Sequence, residues 1–106
     1  MSDPRKAFEA KLVELARQDK RIVAVSCDSC SGGGLSAFFK EFPQRSIEVG
    51  ISEQNAVSLC AAMARQGLLP VLVIINPFLT MRAYEQIRDD LGYMNTKVVI
   101  VGSGGG

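Results

Sequence analysis

The sequence predicts an α/β domain in which a mainly parallel sheet is flanked by helices, and three observations lead to that prediction. Continuous apolar runs at 22–25, 71–75 and 98–101, the last in a strand predicted to begin at Lys97, suit strands that are buried on both faces. Helical segments lie between these runs, the alternation that builds parallel sheets. The chain has 106 residues, of which 47% are hydrophobic and 22% charged, so residues 1–106 can form one domain around one core.

The first half of the chain has a recognisable start and end for each element. Asp3-Pro4 opens a helix predicted to end near Gln18-Asp19. Its inner face is predicted to carry Phe8, Leu12, Leu15 and Ala16. After the strand at 22–25, residues 27–34 form a polar, glycine-rich loop. A short helix over 35–42, stopped by Pro43, and a short strand over 46–49 follow.

The second half begins with Ser52, a good cap for a helix over 53–66 that Gly67 closes. The middle of this helix is small or apolar nearly all round, which predicts burial against the sheet or against a partner subunit. A further helix begins at Pro77, and its inner stripe is Met81, Tyr84, Ile87, Arg88 and Leu91. The strand at 97–101 runs into a glycine-rich end, so we expect the domain to continue beyond residue 106.

Composition excludes several classes of function. Twelve Lys and Arg against 11 Asp and Glu leave a net charge of +1, which gives no electrostatic footprint for nucleic acid or an anionic membrane. The longest apolar run is too short to span a bilayer, and no apolar signal segment opens the chain, so we expect a cytoplasmic protein. The chain lacks histidine, so catalysis must rest on carboxylates, thiols or a cofactor.

The cysteines offer one alternative chemistry. Cys27 and Cys30 form a C-x-x-C pair directly after a strand, which could act as a redox pair. A polyglycine turn follows this pair instead of the long helix of thioredoxin-like sites. Zinc would need further ligands, and only Cys60 is left in a chain without histidine. Two spectator thiols in a reducing compartment are the simpler interpretation.

Glu53 lies in the most informative stretch, Gly50-Ile51-Ser52-Glu53-Gln54-Asn55. The stretch follows a strand and places a carboxylate in the first turn of an apolar helix. Such a charge can simply be favourable on the helix macrodipole. Ligands of open parallel sheets, however, bind at the carboxyl ends of the strands, where the loops after Val25, Val49, Ile75 and Val101 should meet.

Together with residues 77–88, Pro-Phe-Leu-Thr-Met-Arg-Ala-Tyr-Glu-Gln-Ile-Arg, this stretch resembles the pyrimidine-binding domain of the transketolase family. The similarity extends from about Arg5 to Gly102 and looks closest to the C-terminal half of split bacterial transketolases. These enzymes, together with relatives such as 1-deoxyxylulose-5-phosphate synthase, use thiamine diphosphate. The resemblance implies the thiamine-diphosphate-binding fold and the transfer of a two-carbon ketol unit between sugar phosphates.

The resemblance also implies roles for particular residues. Glu53 matches the catalytic glutamate that hydrogen-bonds a pyrimidine ring nitrogen and favours the imino tautomer of the cofactor. Phe78 matches the aromatic residue that packs on the pyrimidine ring. The other implied cofactor contacts are Asp28, Ile51 and Arg82, the last with Met81 as its neighbouring alternative. Arg5 matches an arginine that contacts substrate phosphate, although an exposed first-turn side chain would look the same.

The same resemblance implies a partner. The residues that bind Mg²⁺ and the diphosphate belong to the other half of such enzymes, so we expect a dimer or a heterotetramer containing a diphosphate-binding half. This chain alone is expected to be inactive. Two alternatives stay open, the beta chain of a 2-oxo-acid dehydrogenase, which also carries Gly-Ile-Ser-Glu-Gln, and a non-catalytic scaffolding remnant.

Overall fold

The computed structural model describes residues 4–27, 34–50, 53–75 and 98–103. The described helices are α1 (Pro4–Gln18), α2 (Ser36–Glu41) and α3 (Glu53–Arg65), with one 3-10 turn at Pro43–Arg45. The described strands are β1 (Ile22–Ser26), β2 (Ser46–Glu48), β3 (Leu69–Ile75) and β4 (Val99–Ser103). All of these elements coincide with predicted ones, although several boundaries differ.

The strands form one sheet in the order β2-β1-β3-β4, and every neighbouring pair is parallel. The register places Val25 beside Ile47 on one side and beside Leu72 on the other. Ile75 lies beside Ser103 at the far end of the last pair. The predicted parallel sheet is therefore confirmed, and all four strands end at the same edge, here called the carboxyl edge; the opposite edge is the amino edge.

Helices cover both faces of the sheet, which explains the continuous apolar character of β1. All five residues of β1 are buried. Val23 and Val25 pack with α3 on one face, whereas Ile22 and Ala24 pack with α1 and α2 on the other. A strand with both faces covered has no position for an alternating polar residue. The structure thus has three layers, with the sheet in the middle.

The inner face of α1 differs from the predicted one. Leu12 and Ala16 are buried as expected, but Leu15 is 43% exposed and Val13, which was not predicted to be inward, is 7% exposed. The reason is that α1 packs against α2 as well as the sheet, so Val13 shares a cluster with Phe38 of α2. The prediction for Leu15 was wrong because it considered only one packing partner.

β3 and β4 begin at different residues from those predicted. β3 starts at Leu69 and includes the buried Pro70, whereas the sequence suggested a start after this proline. β4 begins at Val99 instead of Lys97 and continues to Ser103. Leu69 donates its N–H to the Arg21 carbonyl on the β1 side. Since successive residues of a strand face opposite neighbours, Pro70 faces the β4 side, where the described pairing starts only at Val71 and Val99.

Arg45 holds the amino edge together. Its guanidinium donates to three main-chain oxygens, those of Ala16 at 3.0 Å, Asp19 at 2.9 Å and Ile22 at 3.0 Å. Its Cζ also lies 4.5 Å from the centre of the Phe42 ring, within the range of a cation–π contact. One half-buried side chain therefore connects the end of α1, the start of β1 and the turn before β2.

Candidate functional site

The carboxyl edge brings together the segments from which the sequence predicted a site. β1 and β3 are neighbours in the strand order β2-β1-β3-β4. The strand that follows β1 in sequence, β2, lies to one side of this pair, whereas the strand β4 lies to the other side. Such a switch point leaves a crevice in which open α/β sheets bind ligands. Cys27 follows β1 at this point, and β3 extends to Ile75. The crevice between β1 and β3 is therefore the candidate site.

Glu53 is the first residue of α3, so its backbone lies at the carboxyl edge, as predicted. The chain reaches it from Glu48, the last residue of β2, and α3 then runs back across β1 to β3. Ala56 and Val57, in the first turns of the helix, are fully buried. Val57 shares a core cluster with Val25 of β1. The start of α3 is thus seated on an apolar wall, and the role of Glu53 stays a prediction.

Two hydrogen bonds in the connection between β2 and α3 were not predicted from the sequence. The Glu48 carboxylate accepts a hydrogen bond from the Gly50 N–H at 2.7 Å. Val49 donates its N–H to the Ser26 carbonyl at 2.9 Å, which ties the turn to the end of β1. Gly50 has a φ of +71°, in the left-handed region. The position of Glu48, directly before a Val-Gly turn at the end of a strand, was the only available signal.

Arg5 lies in the first turn of α1, which runs antiparallel to β1 and so begins at the carboxyl edge. Gly34, which lies shortly before α2, packs closely on this turn. A Cβ added to Gly34 would lie 3.0 Å from the Arg5 carbonyl oxygen, and the φ of Gly34 is +83°. The structure therefore places exposed Arg5 beside Gly34, while its contact with a substrate phosphate stays a prediction.

The other predicted site residues lie outside the described residues. These are Asp28, Ile51, Phe78 and Arg82. Cys30 and the predicted helix from Pro77, with its inner stripe, are outside them too. Their roles stay predictions from the resemblance.

Two of the three cysteines lie together in the core on the α3 side of the sheet. Cys27 and Cys60 belong to one buried cluster. Burial, with a smaller contribution from the nearby Cys27, raises the pKa of the Cys60 thiol to about 12. A thiol of this kind is almost entirely protonated at neutral pH and is a poor nucleophile. The geometry of Cys60 therefore favours a packing role.

Among the described residues, no group of three or more His, Cys, Asp or Glu side chains could hold a metal ion. None of the described helices has the length and apolar character needed to cross a membrane.

Comparison with known proteins gives one family. The profile of the transketolase pyrimidine-binding domain matches residues 2–106. The 1-deoxy-D-xylulose-5-phosphate synthase of Syntrophus aciditrophicus is 47% identical over 92 residues, which are 87% of this chain and 14% of that protein. The synthase of the same name from Wolinella succinogenes is 44% identical over 97 residues, 92% of this chain and 16% of that protein. The chain thus spans about a seventh of the length of these relatives.

A solved structure shares the fold. It is described as a split gene transketolase, an inactive beta4 tetramer, and it matches with a TM-score of 0.82 and 33% sequence identity. The match covers 91% of this chain and 32% of the solved chain. The parallel sheet, the helix opened by Glu53 and the profile match lead to the same conclusion. The chain belongs to the transketolase pyrimidine-binding domain family.

Proposed function

We propose that this chain supplies the pyrimidine-binding part of a thiamine-diphosphate enzyme that transfers a two-carbon ketol unit between sugar phosphates in the cytoplasm. The observation that carries the proposal is the position of Glu53. It opens α3 at the carboxyl edge, on an apolar wall and next to the switch point between β1 and β3. The family match supports the same placement of the cofactor.

A flat heteroaromatic ring needs apolar contacts and a few polar groups. Ala56 and Val57 are fully buried, so they anchor the first turns of α3 in the core and leave the contacts with the ring to other residues. Glu53 would face a ring nitrogen, and Phe78 would pack on the ring. When bound, the cofactor supplies a carbon nucleophile that accepts the ketol unit. We propose that Asp28, Ile51 and Arg82 complete the contacts and that Arg5 binds the substrate phosphate.

The task of Glu53 is to exchange a proton with the pyrimidine ring. The positive end of the α3 macrodipole favours an ionised carboxyl group in the first turn of the helix. In a dry site the hydrogen bond between a carboxyl group and a ring nitrogen is strengthened, because water does not compete for it. We propose that such a hydrogen bond lets Glu53 stabilise the imino form of the ring.

We also propose that activity requires a second polypeptide half, which holds the diphosphate and Mg²⁺. The outer side of α3 offers a surface for it, since Ala62 is exposed while Leu59 and Met63 are only half-buried. The similar split gene transketolase is described as a beta4 tetramer. A dimer or heterotetramer in which the cofactor lies between two halves is consistent with these observations.

A second candidate reaction is the synthesis of 1-deoxy-D-xylulose 5-phosphate. It is favoured by sequence identity, because synthases of that name are 42% to 47% identical to this chain, compared with 33% for the split gene transketolase. An assay of the assembled enzyme that follows both products, the transferred ketose phosphate and the deoxyxylulose phosphate, decides between the two.

The test of the proposed function is Glu53→Gln in the enzyme assembled with its diphosphate-binding half. The variant keeps the shape of the side chain but cannot exchange the proton. We expect turnover to fall about 10²–10⁴-fold, the usual span for an acid–base group. Proton–deuterium exchange at the reactive thiazolium carbon, followed by NMR, should slow in parallel. Cofactor affinity should change much less.

Glu14→Gln is the matched control, since Glu14 is an exposed glutamate on α1 whose ion pair with Lys11 spans 3.7 Å. This variant should retain full turnover. If Glu53→Gln exchanges the thiazolium proton as fast as the wild type, Glu53 is only a favourable charge at a helix start and the proposal is wrong.

A further inference from the structure

In the connection between β2 and α3, hydrogen bonds hold the two described residues, Val49 and Gly50. Val49 is held by a hydrogen bond from its N–H to the Ser26 carbonyl of β1 at 2.9 Å. Gly50 is held by the Glu48 carboxylate, whose oxygen accepts the Gly50 N–H at 2.7 Å. The second bond is short, as is typical of a charge-assisted hydrogen bond. The direction in which the chain leaves the sheet is therefore set by one backbone bond and one side-chain bond.

Glycine suits position 50 because of the backbone conformation there, and not because a side chain would lack space. Its φ of +71° lies in the left-handed region, yet a Cβ added there would meet no atom within 4 Å. A left-handed φ turns the chain in a direction that other residues disfavour, and α3 begins three residues later at Glu53. The conformation of Gly50 therefore influences the direction in which the chain approaches α3.

We infer that Glu48 is a positioning residue for Glu53. The Glu48 carboxylate holds Gly50 in its left-handed conformation and thereby influences the direction in which the chain approaches α3. Glu48 is exposed, so water can replace its bond to Gly50 and the fold survives its loss. The position of Glu53 would nevertheless become less defined, and a displacement of about 1 Å can slow a reaction roughly 10²-fold. The inference rests on the proposed function, because Glu53 must be the group that meets the pyrimidine.

The experiment compares Glu48→Ala and Glu48→Gln in the enzyme assembled with its diphosphate-binding half. Hydrogen-exchange mass spectrometry on overlapping peptides reports the Gly50 amide. We expect this amide to exchange roughly tenfold faster in Glu48→Ala, the loss expected for a hydrogen bond to a charged group. Glu48→Gln should restore most of the protection, because its amide oxygen can still accept the bond. Glu14→Ala, on the exposed side of α1, is the control and should leave Gly50 unchanged.

The functional readouts are proton–deuterium exchange at the thiazolium carbon and the separate values of kcat and KM. Glu48→Ala should slow the exchange and lower kcat about tenfold with little change in KM, and Glu48→Gln should recover most of both. If Glu48 had only a structural role, its loss would lower thermal stability without a selective fall in kcat. Unchanged Gly50 exchange in Glu48→Ala would overturn the inference, and so would faster Gly50 exchange with normal cofactor exchange.

Failure of the proposed function is distinguished by Glu53→Gln. If that variant exchanges the thiazolium proton normally, the role of Glu53 is wrong and the inference about Glu48 falls with it. If Glu53→Gln is impaired and Glu48→Ala is not, only the role of Glu48 is wrong.

Discussion

The two edges of the sheet are built from different interactions. At the amino edge, Arg45 satisfies three main-chain oxygens, and Asp19 binds Arg21 through two side-chain bonds of 3.0 and 2.8 Å. At the carboxyl edge, the described turns depend on two glycines with positive φ, Gly34 and Gly50. At the amino edge Arg45 connects separate elements, although Gly67 gives this edge a positive φ as well, whereas the described turns of the carboxyl edge depend mainly on local backbone conformation.

This difference suggests that the amino edge serves stability and that the carboxyl edge serves function. Side-chain bonds between elements strengthen the fold but fill the space around them. Glycine turns leave room for a ligand to approach the main chain, at the cost of a less favourable backbone. Open parallel sheets bind ligands at the carboxyl edge, so the amino edge is free to carry the stabilising interactions. Variants at the amino edge should therefore change stability, and variants at the carboxyl edge should change activity.

The largest effect on stability is expected for Arg45→Met. Methionine keeps the apolar contact with Phe42 but leaves three carbonyl oxygens without their donor. We expect the free energy of unfolding to fall by about 2–4 kcal/mol, since hydrogen bonds to charged groups contribute more than neutral ones and water replaces only some of them. Urea denaturation followed by circular dichroism measures the change.

Arg17→Met is the matched control, because Arg17 binds Glu41 at 2.6 Å on the exposed surface. Exposed ion pairs contribute little to stability, so the fall should be far smaller than for Arg45→Met. At a temperature where Arg45→Met is still folded, its turnover in the assembled enzyme should be normal. A loss of turnover with intact folding would show that the two edges are not independent.

Much of the fold could be predicted from the sequence, whereas the contrast between the two edges could not, and the exceptions have physical causes. The continuous apolar run of β1 predicted a strand covered on both faces, and Ser52 with Gly67 predicted the limits of α3 closely. The exposure of Leu15 could not be predicted, because it depends on the packing of α1 against α2. The bond from Glu48 to Gly50 was missed as well, because it depends on the geometry of a turn and not on residue type.

An intermediate effect is expected for a pair of glycine variants, Gly67→Ala and Gly50→Ala. Gly67 closes α3 at the amino edge with a φ of +92°, and a Cβ at either glycine would meet no atom within 4 Å. Each variant should lose about 1–2 kcal/mol of stability, the usual penalty for a side chain in the left-handed region. Thermal melts of the two variants should therefore be similar.

Activity is the measurement that separates the pair. In the assembled enzyme, Gly67→Ala should retain normal kcat, whereas Gly50→Ala should lose a larger share of kcat than of stability. Equal kcat in the two variants would argue that the turn before α3 has no special influence on the site.

The smallest effect concerns the pH dependence of the amino edge. The side-chain hydrogen bond from Arg21 is the main cause that lowers the pKa of Asp19 to about 2, below its ordinary value. A carboxyl group with a lowered pKa in the folded state stabilises the fold above about pH 4, and this contribution is lost as the pH falls towards 2. Urea midpoints of the wild type should therefore decline more steeply between pH 4 and 2 than those of Asp19→Asn. Parallel curves for the two proteins would mean that the Asp19 pair adds nothing to stability.

Pro70 has a consequence for strand alignment. It lacks an N–H on the side of β3 that faces β4, so a neighbouring strand finds no donor at that level. If β4 shifted by two residues towards the amino edge, it would lose a backbone hydrogen bond near the carboxyl edge. It would gain a pairing beside Pro70, which has no N–H to donate. Side-chain alternation does not prevent such a slip, because a shift of two residues returns every side chain to the same face. The missing donor of Pro70 therefore favours the observed register of β4 on β3 over a register shifted by two residues towards the amino edge.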